Sequence, residues 1–599
     1  MAKKLIDIMD TTFRDGFQSV FGGRVLMDDF LPAVEAAKEA GISHFEFGGG
    51  ARFQSLFFYL NENAFDMMDK FREIVGSEAN LQTLSRGINT VMLDTASKDI
   101  IDLHAKLFKK HGTTTIRNFD ALNDVENLKY SGKAIKKYGL NHEVTITMMD
   151  LPPGCKGAHD VAFYEKILRE ILDSEIEFDS LCFKDASGTS SPHKVYETVA
   201  MAKRILPENV PVRVHTHETA GVSVSCYLAA LEAGVDGIDL AASPVSGGTS
   251  QPDILTLLHA TKGTKFDLGG LDIEKILKYE EVLEDCLKDY FLPPEATKVS
   301  PLIPFSPMPG GALTANTQMM RDDNSLDKFP EVIKAMREVV EKGGYGTSVT
   351  PVSQFYWQQA YANVVFGKWN QITNGYGRMV LGYFGKTPVA PDPEIVKLAG
   401  KLLKLAPATK SALEIADEDP QKSLKHFKAM LDVNDLETSE ENIFIVATCG
   451  DKGIKFLKGE AEVNVRKGDF NINRSSDMAG EYTVVVNGVK YNVDVIEGHD
   501  GEVSVTNVAP AQNQTTNAPA PTPSSTGAGS IEVHSQTPGN VWKILAKPGD
   551  SIKEGEPIMI LEAMKMEIDI PAPKSGVIKS INVNVDDSVS DGQLLATME

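Results

Sequence analysis

The stretch LIDIMDTTFRDGFQS, Leu5 to Ser19, decides the fold, because an apolar strand-like run ends there in a dense polar cluster. Seven further runs of this kind follow: HFEFGG (44–49), LQTLSR (81–86), TTTIRNF (113–119), EVTITMM (143–149), SLCFKD (180–185), VRVHTH (212–217) and GIDLAA (237–242). The segments between them have the apolar spacing of amphipathic helices and often end in glycine. Eight strand–helix units in series predict a parallel (β/α)8 TIM barrel over residues 1–300.

Two further regions follow the predicted barrel. Residues 301–430 are mainly helical in pattern, which predicts a helical extension of the barrel. Residues 440–508 turn to short alternating runs such as YTVVVNGVKYNVDV, which predict a small β-rich region. Asn487 and Gly488 lie at the centre of that run and are typical of a two-residue hairpin turn.

The end of the chain consists of a segment too polar to form a core, followed by a segment that can form one. Residues 509–529, APAQNQTTNAPAPTPSSTGAG, contain almost no large apolar groups, so we expect a flexible linker rich in alanine and proline. Residues 530–599 alternate short strand-like runs with turn signals, which predicts a compact all-β domain.

Composition excludes several classes of function. A chain of 599 residues should divide into several domains, and its formal net charge of −23 argues against binding to nucleic acid or to an anionic membrane surface. The first residues show no apolar signal region, and no apolar run is long enough to span a membrane, so we expect a cytoplasmic protein. The five cysteines form no CxxC pair, which argues against a disulfide framework and a thiolate zinc site.

Polar residues at the strand ends indicate where the chemistry lies. The active site of a TIM barrel is formed by the loops after the strands, where the cluster Asp10–Ser19 falls. In the seventh strand, His215 and His217 point to one face because side chains alternate, and such a pair with a nearby carboxylate suits a divalent metal. Lys184 ends the sixth strand; unmodified, it would repel that metal, and an ion pair with Asp15 or Asp185 is the alternative.

The segment LEAMKMEIDIPAP, 561–573, carries a first family resemblance. Glu562–Glu567, with Pro571–Pro573 and Gly576, is similar to the signature of biotinyl domains. The resemblance implies that biotin protein ligase joins biotin to Lys565 through an amide, with Met564 and Met566 as part of the recognised signature. Lipoyl domains share the exposed lysine but generally lack these flanking methionines.

Residues 1 to about 430 resemble the carboxyltransferase component of biotin-dependent enzymes acting on pyruvate and oxaloacetate: pyruvate carboxylase, oxaloacetate decarboxylase alpha subunit and transcarboxylase. The blocks that carry it are DTTFRDGFQS, SRG, FKDASG, HTHETAG, SPVSGGTSQP, PMPGG and VTPVSQ. The resemblance implies a carbamylated Lys184 and a zinc, manganese or cobalt ion held by Asp15, Lys184, His215 and His217. The other implied roles belong to Arg14, Gln18 and Arg86 at the keto acid, Thr350 as proton shuttle, and Ser353 and Gln354 at biotin.

Two stretches depart from the family pattern. After the second strand, where relatives commonly have Trp-Gly-Gly-Ala-Thr-Phe-Asp, residues 48–54 read GGGARFQ. In the first block, Gly16 and Phe17 replace the more usual Ala-His. We expect these departures to alter the local shape of the pocket and contacts between subunits, while the implied metal ligands remain.

The resemblance leaves the partner and the direction of reaction open. The chain has no GxxxxGK[ST] phosphate loop and no ATP-grasp module, so it cannot charge biotin alone. With a separate biotin carboxylase, it would be the B subunit of a two-subunit pyruvate carboxylase, transferring carboxyl from carboxybiotin to pyruvate. With a membrane-embedded sodium pump, it would be an oxaloacetate decarboxylase alpha subunit.

We also expect a homo-oligomer. A simple biotin carrier would not need the barrel residues, and an aldol-type lyase or synthase would need neither Lys184 nor Lys565.

Overall fold

The computed structural model describes residues 3–322, 325–468, 480–486, 489–497, 503–510, 531–563 and 566–599. Within these ranges, no helix is long and apolar enough to cross a membrane.

The first part of the chain is a closed parallel barrel, as predicted. Its strands are β1 Lys4–Asp10, β2 His44–Glu46, β3 Asn80–Ser85, β4 Thr115–Phe119, β5 Asn141–Thr147, β6 Ser180–Asp185, β7 Val212–Thr216 and β8 Gly237–Leu240. Each strand pairs with the next, β8 pairs with β1, and Asp10 of β1 opposite Phe45 of β2 closes the ring. A ninth strand, β9 Phe266–Leu268, pairs with the start of β1 outside the barrel.

Helices cover the outside of the barrel. They are α1 Phe17–Phe21, α2 Met27–Glu39, α3 Gly50–Ser55, α4 Ala64–Val75, α5 Lys98–Lys110, α6 Glu126–Lys137, α7 Val161–Asp173, α8 Pro192–Ile205, α9 Ser223–Ala233, α10 Ile254–Ala260 and α11 Ile273–Leu287. Short helical turns at Thr12–Gly16 and Gly87–Asn89 follow β1 and β3. The first of these turns contains part of the polar cluster. Its Phe13 is buried among Phe17, Phe30 and Phe71, with ring centroids 5.3–5.8 Å apart, and this packing fixes the orientation of the turn.

A helical extension follows the barrel. Its helices are α12 Gly310–Asp322, α13 Phe329–Lys342, α14 Val352–Val365, α15 Asn374–Val380, α16 Pro393–Leu403, α17 Ala412–Glu418, α18 Leu424–Val433 and α19 Glu440–Leu457. The last of these corrects the sequence analysis, which expects strands from residue 440. Phe444 of α19 packs 5.6 Å from the ring of Phe53. The run IFIVA (443–447) is apolar and partly β-branched, and periodicity alone cannot distinguish such a short run from a strand.

Strands do form after this helix. They are β10 Gly480–Val486, β11 Val489–Glu497 and β12 Val503–Pro510, in one antiparallel sheet. Val486 pairs with Val489, as expected for a tight hairpin, although the predicted turn residues Asn487 and Gly488 lie outside the described residues. Of the predicted linker 509–529, the last residue described is Pro510.

The C-terminal segment is all-β, as predicted. Its strands are β13 Ile531–His534, β14 Gly539–Ile544, β15 Ser551–Ile552, β16 Pro557–Ala563, β17 Met566–Pro571, β18 Gly576–Ile581, β19 Ser588–Val589 and β20 Leu594–Met598. They form two four-stranded sheets, in the orders β13-β20-β18-β15 and β17-β16-β14-β19. Antiparallel pairing of β16 and β17 runs to Ala563 opposite Met566, so the chain segment that joins them contains Lys565. Lys565 and Met564 lie outside the described residues.

The turn between β2 and α3 requires glycine, which gives a testable stability prediction. Gly49 has φ 81° and ψ 176°, and a Cβ there would overlap the hydroxyl oxygen of Thr83 on β3. Gly76 has nearly the same backbone, φ 85° and ψ 176°, but open space around it. We therefore expect Gly76→Ala to cost only backbone strain, about 1–3 kcal/mol, and Gly49→Ala to cost about 1–3 kcal/mol more because of the overlap. Thermal unfolding of both variants measures the difference, and equal melting temperatures would contradict this packing.

Candidate active site

The C-terminal ends of the barrel strands and the helical extension line a narrow cavity of about 40 Å³. The sequence-predicted side chains that line it are Arg14, Asp15, Gln18, Arg86, Lys184, His217 and Thr350. His215 lies beside this group, with its Nε2 2.9 Å from Lys184 Nζ. Residues at the ends of β1, β3, β6 and β7 therefore meet Thr350 of the loop before α14 at one place.

Three buried atoms that could bind a metal ion, from Asp15, His215 and His217, converge at the floor of the cavity. We call these three residues the donor group. Asp15 Oδ2 lies 3.2 Å from His215 Nε2 and 3.3 Å from His217 Nε2, and the two nitrogens are 3.1 Å apart. Atoms bound tetrahedrally at 2.0–2.1 Å from one metal ion would be about 3.4 Å apart. The three residues are the one group of histidine, cysteine and carboxylate side chains within the described ranges that could hold a metal ion. Their spacing and chemistry fit a divalent metal.

The outer nitrogens of the two imidazoles are also engaged. His215 Nδ1 lies 2.8 Å from Asp239 Oδ2 on β8, and His217 Nδ1 lies 2.7 Å from the carbonyl oxygen of Thr249. These contacts orient both rings so that their Nε2 atoms face Asp15. Burial alone would raise the pKa of Asp239, but Arg117 and the hydrogen bond from His215 hold it well below its usual range.

Asp239 belongs to an ionic network inside the barrel. Its two carboxylate oxygens accept hydrogen bonds from Arg117 Nη1 at 2.6 Å and Arg213 Nη1 at 3.0 Å. Arg117 Nε donates in turn to Glu143 Oε1 at 2.5 Å. Because all four side chains are buried, removing one charge would leave its partners buried and unpaired. The network holds Asp239, and through it His215, in place.

Lys184 contacts the donor group as a buried amine. Its Nζ is 3.9 Å from Asp15 Oδ2, longer than its 2.9 Å contact with His215. Burial lowers the pKa of the Lys184 ammonium, and Asp15 opposes this only in part. The alternative ion pair with Asp185 is not formed, since the Asp185 carboxylate accepts hydrogen bonds from the backbone N–H groups of Ser187 and Ser190. Asp185 therefore shapes the loop after β6.

Two arginines line the cavity, and only one of them is neutralised. Arg14 Nη2 donates to Glu46 Oε1 at 2.5 Å, and its Nη1 lies 3.1 Å from Asp15 Oδ1. Arg86 donates to the carbonyl oxygen of Met92 at 3.1 Å and has no carboxylate partner among the described residues. Burial, with a smaller effect from Arg14, lowers the pKa of Arg86 to about 9. A buried guanidinium without a counter-ion favours an anion in the cavity.

The predicted biotin contacts lie next to Thr350, in the first turn of α14. Ser353 Oγ and Gln354 Nε2 are buried and have no hydrogen-bond partner among the described residues. Unpaired buried polar atoms are rare in folded proteins and are common where a ligand supplies the partner. Both atoms are therefore available to a polar group on a ligand.

Two residues of the stretch that departs from the family pattern, Arg52 and Gln54, take part in packing. Arg52 is fully buried, and its Nη1 donates to the carbonyl oxygen of Gly23. Gln54 Nε2 donates to the carbonyl oxygen of Thr448 on α19 at 2.7 Å. Neither side chain lines the cavity. These two side chains hold α3 against its neighbours. The expected change in the shape of the pocket stays a prediction.

Sequence reasoning missed three residues of the site. Asp239 lies within β8 and Glu46 ends β2, and in the sequence both resemble ordinary polar residues of a strand. Gln251 Nε2 lies 3.0 Å from both Asp15 Oδ2 and His217 Nε2, and it falls in the block SPVSGGTSQP. The family block therefore indicated the region of Gln251. Asp239 and Glu46 could be assigned to the site only once the strand register was known.

Comparison with known proteins places these features among biotin-dependent enzymes. Family models match residues 5–282 (HMGL-like), 303–495 (Conserved carboxylase domain) and 528–598 (Biotin-requiring enzyme). The pyruvate carboxylase B subunit of Methanocaldococcus jannaschii is 31% identical, with 94% of each chain covered. The 2-oxoglutarate carboxylase large subunit of Hydrogenobacter thermophilus is 29% identical over 95% of this chain and 91% of the relative. The carboxyl transferase domain of Rhizobium etli pyruvate carboxylase has the same fold, with a TM-score of 0.68 and 23% identity over 84% of this chain and 86% of that one.

Proposed function

Since this chain belongs to the family of the pyruvate carboxylase B subunit, we propose that it transfers a carboxyl group between biotin on Lys565 and pyruvate, forming oxaloacetate. The observation that carries the proposal is the meeting of Thr350, Arg86 and the buried donor group in one cavity, in a chain that ends in a biotinyl domain. A biotin carrier without catalytic function would need none of these cavity residues. The relatives also favour the carboxylase over an oxaloacetate decarboxylase alpha subunit.

The cavity residues explain how a keto acid would be held. Arg86 is the buried cation without a carboxylate partner among the described residues, so it is the group that would grip the substrate carboxylate. Arg14 is already oriented by Glu46 and Asp15, which directs it toward the keto oxygen, where negative charge develops. Gln18 Oε1 lies 3.4 Å from Arg14 Nη1, so Gln18 lines the cavity beside Arg14.

Asp15, His215 and His217 would hold the divalent metal, zinc, manganese or cobalt, with Lys184 as the fourth ligand. When bound, the metal would act as a Lewis acid that stabilises negative charge on the keto oxygen. Lys184 can serve only as an anion, because an ammonium at this position would oppose the metal charge. We propose that it carries a carbamate, formed when its buried amine, held 2.9 Å from His215, reacts with CO₂ and releases a proton.

Thr350 would move the proton. Its hydroxyl would accept a proton from the methyl group of pyruvate and donate its own to the ureido nitrogen of biotin as CO₂ is released there. The enolate carbon of the substrate would then form the new carbon–carbon bond with CO₂, giving oxaloacetate. Ser353 and Gln354, with their unpaired polar atoms, would hold the biotin ring during this exchange.

The remaining steps require other proteins. Biotin protein ligase would attach biotin to Lys565, and a separate biotin carboxylase subunit would charge it, because no phosphate-binding loop is present in the sequence. Assembly of several copies into a homo-oligomer stays a prediction.

The test is oxaloacetate formation from pyruvate, bicarbonate and ATP by the biotinylated chain, with and without a biotin carboxylase subunit. We expect product only when both proteins are present. Replacing pyruvate by 2-oxoglutarate in the same assay tests the substrate named for the Hydrogenobacter relative. No product with either acid, together with biotin-dependent decarboxylation of oxaloacetate by the chain alone, would contradict the carboxylase proposal and favour the decarboxylase.

Asp239 should tighten metal binding through His215. In Asp239→Asn, the side chain can no longer act as the anionic acceptor that fixes the His215 tautomer, and we expect metal affinity to fall about 10–100-fold. Metal content after dialysis against graded chelator measures the effect, and the absorption spectrum of the cobalt-loaded protein reports the ligand geometry. Glu143→Gln is the matched control, because it cuts the same ionic network one residue further away. If both variants lose metal equally, Asp239 has only a structural role.

A further inference from the structure

Thr350, which would move the proton, lies outside the barrel, whereas Arg14, Arg86 and the donor group belong to it. Its position over the substrate therefore depends on how the loop 343–351, which joins α13 to α14, is held against the barrel. A displacement of about 1 Å in a reacting group can lower a rate about 100-fold. The contacts between this loop and the barrel therefore bear directly on the rate of proton transfer.

Three buried side chains form a closed ring of hydrogen bonds between the loop and the barrel. Thr347 Oγ1 lies 2.8 Å from Thr147 Oγ1, at the end of β5. Thr147 Oγ1 lies 3.0 Å from Asn123 Oδ1, and Asn123 Nδ2 lies 3.4 Å from Thr347 Oγ1. All three contacts can form at once, with Thr347 donating to Thr147, Thr147 to Asn123, and Asn123 back to Thr347. We call these three residues the polar ring.

The barrel side of the polar ring is built next to a proposed metal ligand. Asn123, in the loop after β4, joins its amide to the backbone of Thr147: Nδ2 donates to the carbonyl oxygen and Oδ1 accepts from the N–H group, both at 2.9 Å. Thr147 pairs in register with Lys184 of β6, and the N–H group of Met148 donates to the carbonyl oxygen of Lys184 at 2.7 Å. The ring is therefore fixed to the strand beside the one that carries Lys184.

The loop side of the polar ring lies three residues before Thr350. The N–H group of Thr347 donates to the carbonyl oxygen of Ala121, in the loop after β4, at 2.7 Å. The hydroxyl of Ser348 donates to the carbonyl oxygen of Pro307 at 2.6 Å, which ties the next residue to the extension. Thr347 and Ser348 are both buried. A single backbone hydrogen bond would let the loop pivot, whereas the added side-chain contact of Thr347 fixes its orientation on the barrel.

From these contacts, we propose that Asn123, Thr147 and Thr347 are positioning residues for carboxyl transfer, which hold the hydroxyl of Thr350 at a fixed place relative to the barrel. The inference rests on the proposed function, because the ring has this purpose only if Thr350 moves a proton. None of the three side chains lines the cavity. They therefore act on the reaction through the loop and not by contact with the substrate.

Removing one hydroxyl at a time tests the polar ring. Thr347→Val keeps the branched shape of the side chain, and we expect kcat to fall about tenfold while KM for pyruvate and metal content change less than about twofold. Thr347→Ser keeps the hydroxyl and should retain activity. Thr147→Val should reproduce the loss, and the double variant should lose no more than either single variant, because both break the same contact. Losses that multiply in the double variant would overturn the ring.

The Thr350→Ala background separates positioning from general damage. The hydroxyl that the ring positions is absent there, so adding Thr347→Val should change the residual rate less than about twofold. The same tenfold loss in this background, or no loss in Thr347→Val alone, would overturn the proposal. Thr261→Val is the matched control. It removes another buried threonine hydroxyl, which donates to the carbonyl oxygen of Leu257 at 2.8 Å just after α10, and it should keep full kcat.

Hydrogen exchange tests the polar ring without any activity. We expect the backbone N–H groups of the peptide 343–351 to exchange at least about tenfold faster in Thr347→Val than in Thr347→Ser, because the loop loses its side-chain contact with the barrel. Equal exchange in the two variants would overturn the proposal. Lack of activity in the unsubstituted chain would instead refute the proposed function, and the exchange result would still decide whether the ring fixes the loop.

Discussion

Lys565→Ala will abolish partner-dependent oxaloacetate formation, with a loss of at least 1000-fold, while transfer to and from free biotin continues. The reason is that the cavity residues belong to the barrel and the extension, whereas Lys565 belongs to the segment between β16 and β17. Removing the amine removes the attachment point for biotin and leaves the cavity unchanged. Tethering multiplies the local concentration of a group by orders of magnitude, so free biotin cannot replace the carrier at ordinary concentrations.

Two further substitutions control this experiment. Lys565→Arg keeps the positive charge but cannot form the amide, so it should behave as Lys565→Ala does. Lys574→Ala removes another exposed lysine of the same domain and should retain full activity. Activity surviving in Lys565→Ala with the partner present would show that the biotinyl domain does not carry the transferred group.

Thr350→Ala should lower the rate of carboxyl transfer by a factor of about 10²–10⁴, the usual contribution of a positioned acid–base group. The loss should appear in kcat, with both carrier-bound and free biotin, while KM for pyruvate changes little because Arg86 and Arg14 remain. Release of tritium from the methyl group of labelled pyruvate reports the proton transfer itself and should fall in parallel.

Thr350→Ser is the matched control for this variant. It keeps the hydroxyl at the same position in the loop before α14, so we expect activity within about tenfold of the unsubstituted protein. A fully active Thr350→Ala would move the proton-transfer role to another group. An equal loss in both variants would point to loop packing rather than to the hydroxyl.

The barrel could be predicted from sequence because its strands are covered on both sides. Such strands are short apolar runs, and segments with helical spacing separate them, which made them countable. The helix α19 could not be predicted in this way. Its residues 443–447 are apolar without clear periodicity, and the helix is selected by the contact between Phe444 and Phe53, which are far apart in sequence.

The candidate site was predictable where one element carries the pattern. Alternation along β7 places His215 and His217 on one face, and the structure has their Nε2 atoms 3.1 Å apart. Asp239 and Glu46 were not predictable, because their roles depend on which strands are neighbours and in what register.

The most direct test of the proposed carboxyl transfer is the exchange of label between pyruvate and oxaloacetate, catalysed by the biotinylated chain alone. Carboxyl transfer at the barrel site needs neither ATP nor the carboxylase partner, so labelled pyruvate mixed with unlabelled oxaloacetate should give labelled oxaloacetate. We predict exchange that depends on biotin at Lys565 and stops when the metal is removed by a chelator. No exchange by fully biotinylated, metal-loaded protein, or the same rate without biotin, would contradict the proposed transfer.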